Sequence, residues 1–232
     1  MKLSIIIPVF NEINTIECIV DKINELQDFN KEIIIVDDFS NDGTTLLLNS
    51  NIYKKVHKVI YHQKNLGKGA AIKSAKDFVS GDIVIIQDAD LEYDPKDYYN
   101  LTKPIQNKEY QVVYGSRVFG KSRYFSNNFT SIYRVFFNHI LTMLSNLLNN
   151  QNLTDAHTGY KVFSKNVFDN ITLEENDFSF CPEVTTKISL KKVIIKEVPI
   201  SYYGRSYKEG KKINIYDGFK AIYVLFKYRF FK

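Results

Sequence analysis

Three runs in this chain are apolar at every position instead of every second one. Residues 5–9 read Ile-Ile-Ile-Pro-Val, residues 33–36 Ile-Ile-Ile-Val and residues 83–86 Ile-Val-Ile-Ile. A strand with one wet face alternates apolar and polar side chains, whereas a continuous run marks a strand buried on both faces. Strands are expected over residues 3–9, 32–37, 56–61, 82–87 and 111–116, with helices over 14–26 and 69–78. Past Ser116 the pattern is less regular: a basic loop over 117–123, a long helix over 128–149 and a strand over 160–163. A helix over 182–191, a strand over 193–198 and a last helix over 216–230 complete it. The fold class expected is α/β, a Rossmann-like, mainly parallel sheet flanked by helices. No Gly/Ser-rich or Pro-rich linker and no repeat divides the 232 residues. The expectation is a single domain, residues 1–116 forming one half and 117–232 an elaborated C-terminal half.

Ligands of such sheets collect at the carboxyl ends of strands. Pro8-Val9-Phe10-Asn11-Glu12, Asp37-Asp38-Phe39-Ser40-Asn41-Asp42-Gly43-Thr44 and Asp88-Ala89-Asp90 all fall there. Asp88, Asp90, Glu92 and Asp94 stand at every second position, so an extended segment would project them to one side. Carboxylates so placed repel one another, and protonation or a divalent cation relieves the repulsion. Mg2+ and Mn2+ favour such oxygens and keep sites open for substrate phosphates. A bare Asp-x-Asp reads as readily as a solvated turn before Pro95; the strand before it turns the reading toward a ligand site.

Ser40 and Asp42 read as turn and cap residues, while Asp38 could accept bonds from a base or ribose. Asn65-Leu66-Gly67-Lys68-Gly69 fits neither the phosphate-loop pattern nor the dinucleotide fingerprint, which argues against a P-loop NTPase and a Rossmann dehydrogenase. It reads as a helix-feeding turn or as a neighbour of the nucleotide. The stretch from Arg205 to Lys212 is a solvated loop or a cover over a diphosphate.

Composition narrows the partners. A net charge of +5 suits an anionic ligand without choosing one. The basic residues are dispersed and accompany no nucleic-acid motif, so no nucleic acid is expected. Cys18 and Cys181 form no C-x-x-C pair, and the four histidines are scattered, so neither a zinc site nor a disulfide framework is indicated. The first apolar run ends at Pro8 and reads as a strand instead of a leader. Residues 129–148 contain Arg134 and His139, which favours an amphipathic or buried helix over a membrane span. The expected location is cytoplasmic.

Together these residues resemble the family 2 glycosyltransferases of the GT-A fold, in particular dolichol-phosphate mannose synthases and bacterial polyprenyl-phosphate relatives. The resemblance rests on Ile-Ile-Ile-Pro8-Val-Phe-Asn-Glu12, Asp37-Asp38-x-Ser-x-Asp-Gly-Thr, Asn65-Leu-Gly-Lys-Gly-Ala, Asp88-Ala-Asp90-Leu-Glu and Val198-Pro-Ile-Ser-Tyr, in that order. It implies that Pro8, Phe10, Glu12, Val36 and Asp38 surround base and ribose, with Asp88 and Ala89 along the nucleotide. It implies too that Asp90 and Glu92, beside Asp88, hold Mg2+ or Mn2+, and that Arg205 and Lys211 grip the diphosphate of a nucleotide-sugar donor. Arg117 would meet an acceptor phosphate. Phe10 stands where tyrosine is common, Phe39 where glycine is usual, and Lys161 where the family pattern has arginine.

The implied reaction is inverting transfer of a hexose from a GDP- or UDP-sugar to a polyprenyl or dolichyl phosphate. A polysaccharide or soluble hydroxyl acceptor, or donor binding without catalysis, are the alternatives. Asp155 is the candidate base or acceptor-orienting group, or else only a turn cap before Thr158, and Glu183 is a weaker candidate. The last helix mixes Phe, Tyr and Leu with Lys and Arg, which suits peripheral attachment to a membrane face as well as plain packing.

Overall fold

The computed structural model describes residues 1–119, 132–205 and 215–231. Seven strands form one sheet: β1 (Lys2–Val9), β2 (Asn30–Asp37), β3 (Lys58–Tyr61), β4 (Ile83–Ile86), β5 (Val112–Ser116), β6 (Lys161–Ser164) and β7 (Ile195–Pro199). Their order is β3-β2-β1-β4-β6-β5-β7. All neighbours are parallel except β6, which runs antiparallel to both β4 and β5.

The continuous apolar runs divide between two cores. On one face Ile5, Ile7, Ile33, Ile35 and Ile85 pack with helix α1 (Ile16–Asn24) and with α4 (Tyr98–Gln106). On the other, Ile6, Ile34, Val36, Val84 and Ile86 pack with α3 (Lys68–Ala75) and α7 (Phe180–Leu190). Each isoleucine removed from water contributes roughly 1.5–3 kcal/mol, and the alternation of faces explains why no position in these runs is polar. The remaining helices are α2 (Thr44–Leu47), α5 (Ile132–Asn149), α6 (Lys165–Asn170) and α8 (Ile215–Phe226).

Helices α4 and α6 go beyond the sequence expectation, α4 because Pro104 lies inside it. Proline removes one intrahelical bond, but near the last turn the loss is small enough for Tyr98, Leu101 and Ile105 to dock on the sheet. The expected helix start at residues 128–131 lies outside the described residues.

One local expectation is corrected. The acidic run is not extended: Leu91 has φ 60° and bends it between Asp90 and Glu92. Asp94 consequently leaves the group and caps the next turn, accepting from Lys96 N at 3.0 Å.

Candidate active site

The carboxyl ends of β1, β2 and β4 open into a cavity of about 310 Å3. Pro8, Phe10 and Glu12 enter it from the end of β1, Asp38 from β2, and Asp88, Ala89, Asp90 and Glu92 from β4. Arg117 and Arg205 reach it from the segments after β5 and β7. Val36 and Asp155 do not line it: Val36 is wholly buried in β2, paired in register with Pro8, and Asp155 stands behind Arg117. Lys211 lies outside the described residues.

Asp38 organises the wall nearest β2. Its Oδ1 accepts from Leu66 N at 2.8 Å and its Oδ2 from Gly67 N at 2.7 Å, while His62 Nδ1 lies 2.7 Å away. Gly67, at φ 97°, supplies the backbone turn that starts α3. The Asn65–Gly69 segment is therefore both a helix-feeding turn and a cavity wall, and Lys68 from it pairs with Asp88. Asp42 does the turn work expected, accepting from Thr44 N at 3.0 Å, but the N-cap of α2 is Gly43, and Ser40 Oγ accepts from Asn11 N at 2.8 Å and ties this loop to the one after β1.

The three acidic side chains have different partners. Asp88 is turned to Lys68. Glu92 accepts from Tyr202 Oη at 2.9 Å and from Arg205 N at 2.8 Å. The guanidinium of Arg205 bridges Glu12, at 3.0 and 3.1 Å, and Asp90, at 3.1 Å. Burial, followed by the charges of Asp88 and Glu92, nevertheless raises the Asp90 carboxyl to about 7, Arg205 opposing. Four carboxylates, Glu12, Asp88, Asp90 and Glu92, share the two cations Lys68 and Arg205 here. Among the described residues no three acidic, histidine or cysteine groups converge as a ready-made cage. A cation held by one or two carboxylates and completed by substrate phosphates fits this donor set.

The opposite wall is built around Arg117. Asp155 receives it in a two-pronged pair, Nε to Oδ2 at 2.6 Å and Nη2 to Oδ1 at 2.7 Å, with Arg117 N adding a third bond at 3.1 Å. Burial alone would raise the Asp155 carboxyl, but the charge and hydrogen bonds of Arg117 outweigh it and hold the group below the usual carboxylate range. Glu197 in turn accepts from Thr154 N at 2.7 Å and Asp155 N at 2.9 Å, fixing this turn to β7. Lys161, fully buried, donates to Ala156 O at 2.9 Å and lies 3.9 Å from the centre of the Tyr114 ring; burial lowers its ammonium to about 8.

Sequence reasoning missed several wall residues. Gly159 approaches Asp88 so closely that a Cβ there would lie 2.5 Å from Asp88 Oδ2. The Tyr93 hydroxyl oxygen accepts from Gly159 N at 2.8 Å, and Phe178 and Cys181 also line the cavity. His157 also lines the cavity. Burial first, then the Lys161 charge, brings its imidazole down to about 4, so the ring is neutral at neutral pH. No local pattern announces these residues, because each is placed by a contact between distant segments. Glu183 is not among them: it is wholly buried and accepts from Glu174 N and Glu175 N at 2.7 and 2.9 Å.

Residues 4–172 match the family model described as Glycosyl transferase family 2. The chain is 29% identical to a dolichol-phosphate mannosyltransferase of Pyrococcus furiosus, over 98% of this chain and 64% of that protein. It is 30% identical to a UDP-N-acetylglucosamine–dolichyl-phosphate N-acetylglucosaminyltransferase of Methanococcus voltae, over 95% of this chain and 93% of that protein. Among solved structures, glucosyl-3-phosphoglycerate synthase of Mycobacterium tuberculosis superposes with a TM-score of 0.74 at 18% identity, covering 98% of this chain and 80% of that one. The same enzyme in complex with Mn2+, uridine diphosphate and phosphoglyceric acid gives 0.72 at 19% identity, covering 100% and 79%. At that identity the likeness shows the fold, and the seven-stranded sheet is the GT-A arrangement that the sequence resemblance implied.

Proposed function

The chain belongs to glycosyl transferase family 2, and on that premise we propose that it transfers a hexose, with inversion, from a GDP- or UDP-sugar to a polyprenyl or dolichyl phosphate. The observation that carries the acceptor class is the buried Arg117–Asp155 pair at the cavity wall. A hydroxyl acceptor needs a general base to take its proton, and Asp155 is poorly suited to that: Arg117 weakens it as a proton acceptor and occupies both of its oxygens. A phosphate monoester, with a second pKa of about 6, is already largely anionic at neutral pH. It needs a positioned guanidinium instead, and Asp155 positions one.

In this reading Pro8, Phe10, Glu12, Val36 and Asp38 shape the base and ribose end, with Val36 acting from beneath the surface. Asp88 and Ala89 run along the nucleotide, and Lys211 joins Arg205 at the diphosphate. A divalent cation, Mg2+ or Mn2+, would be held by Asp90 with Glu92 and Asp88 and would neutralise charge on the leaving diphosphate. Arg205, which bridges Glu12 and Asp90, is placed to exchange those carboxylates for diphosphate oxygens when donor enters. The first half, 1–116, holds the donor, and 117–232 the acceptor. The named activities of the Pyrococcus and Methanococcus relatives support a dolichyl-phosphate acceptor. The enzyme works at the cytoplasmic side of a membrane, attached peripherally.

The two acceptor classes separate on variants. With a prenyl phosphate acceptor, Arg117→Ala loses about 100-fold or more in kcat/KM while donor binding by calorimetry is kept. Transfer to a sugar hydroxyl that survives Arg117→Ala and disappears in Asp155→Asn would replace this reading with the hydroxyl one.

A further inference from the structure

The segment 155–159 joins the two ends of the cavity. At its start Asp155 holds Arg117 in the two-pronged pair on the acceptor side. At its end Gly159 lies against Asp88, so closely that a Cβ there would meet Asp88 Oδ2 at 2.5 Å. His157 stands midway between them in the chain and lines the same cavity. A direct displacement needs the attacking oxygen, the reacting carbon and the leaving oxygen nearly in line. With the acceptor phosphate at Arg117 and the nucleotide along Asp88 and Asp90, the transferred hexose has to lie between them, beside His157.

The imidazole is equipped for a neutral hydroxyl. Its Nε2 is closed off from water and has no hydrogen-bond partner. Buried polar atoms are paired in nearly all native structures, and an orphan calls for an explanation. Polar groups of the same region are engaged with one another: Lys68 with Asp88, Arg117 with Asp155, the Tyr93 hydroxyl with Gly159 N, and Lys161 with Ala156 O. Burial first, then the charge of Lys161 and, more weakly, that of Arg117 disfavour a proton on the ring, and Asp155 does not reverse this. A neutral imidazole offers one donor and one acceptor nitrogen. A phosphate is met better by a guanidinium such as Arg117, whereas a sugar hydroxyl, itself donor and acceptor, matches the ring.

We propose that His157 binds a hydroxyl of the hexose being transferred and so helps to select the donor sugar. The inference deepens the nucleotide-sugar reading of the cavity and rests on it, but its test is a binding measurement that needs no acceptor. Calorimetry with Mn2+ present compares GDP with GDP-mannose, and UDP with UDP-glucose and UDP-N-acetylglucosamine, on the wild type, His157→Ala and His157→Gln. For a donor that the wild type binds, His157→Ala is expected to weaken nucleotide-sugar binding about five- to tenfold and to leave the matching nucleoside diphosphate within about twofold. His157→Gln, which keeps a donor and an acceptor, should recover part of the loss. His157→Leu, closer to the imidazole in volume, serves if the alanine variant does not fold. Monodeoxy analogues of the same sugar then locate the hydroxyl: the analogue that lacks it binds wild type and His157→Ala alike, while the others keep the difference. Equal weakening of nucleotide and nucleotide-sugar, which a ring that only fills the wall would give, overturns the proposal. So does unchanged binding of both. In either case the donor reading stands, because the wild type has bound a nucleotide-sugar; a wild type that binds none of the three removes the donor reading and this proposal with it.

Discussion

Asp90 shows how an acidic site is held ready. Its carboxyl lies at about 7 in the folded chain against an ordinary 3.8, because burial and then Asp88 and Glu92 disfavour its charge. The folded state therefore binds a proton that the unfolded state has released between those two values. The stability this contributes is present below about pH 4 and is lost as pH rises through about 7. In chemical denaturation with chelator present, Asp90→Asn should gain on the wild type across that window and be the more stable protein at its alkaline end, with Mn2+ restoring the wild type. Parallel pH profiles for the two proteins would contradict this origin of the charge surplus. Sequence reading could find Asp90 from its place after an apolar strand. It could not see that Leu91 bends the run, since a left-handed leucine has no local signature. The same holds for Phe39, at φ 69°, where the family resemblance points to glycine and the structure gives the reason.

At the scale of elements, strands were legible wherever burial on both faces wrote a continuous apolar run. The reversed direction of β6 was not, because its pairing with β4 and β5 is decided by segments far apart in the chain. The segment from Glu174 to Asp177 is a further case. Asn176 O accepts Ala70 N at 2.8 Å, Lys73 Nζ binds Glu174 O at 2.9 Å, and Lys220 and Lys227 of α8 and its continuation grip Asp177 and Glu175. This strap lies directly on the turn that feeds α3: a Cβ at Gly69 would come within 2.4 Å of Glu175 O. Gly69→Ala is expected to lose about 1–3 kcal/mol of stability by displacing the strap, and to weaken donor binding because Gly67 and Lys68 move with it. Calorimetry of nucleotide-sugar binding alongside urea denaturation checks both; unchanged affinity and stability would mean that the strap is not coupled to the cavity.

Over the whole molecule, one sheet edge gathers what the chain order separates. Glu12, Asp38, Asp90, Arg117 and Arg205 meet around a single cavity, and the two apolar helices begin beyond the segments that leave it. The residues at the ends of β1, β2 and β4 were readable from strand-end motifs. Arg117 and Asp155 were named in the sequence, but their pairing and the hold of Glu197 on Asp155 N were not, since these contacts join distant segments. The proposed metal-assisted transfer of sugar to a lipid phosphate is measured by supplying the purified chain with Mn2+, dolichyl phosphate and labelled GDP-mannose, UDP-glucose or UDP-N-acetylglucosamine in turn and counting label extracted into organic solvent. Label is expected from one of these donors, reduced about 100-fold or more by Asp90→Ala. Donor binding with no labelled lipid from any of the three, or full activity in Asp90→Ala, would contradict it.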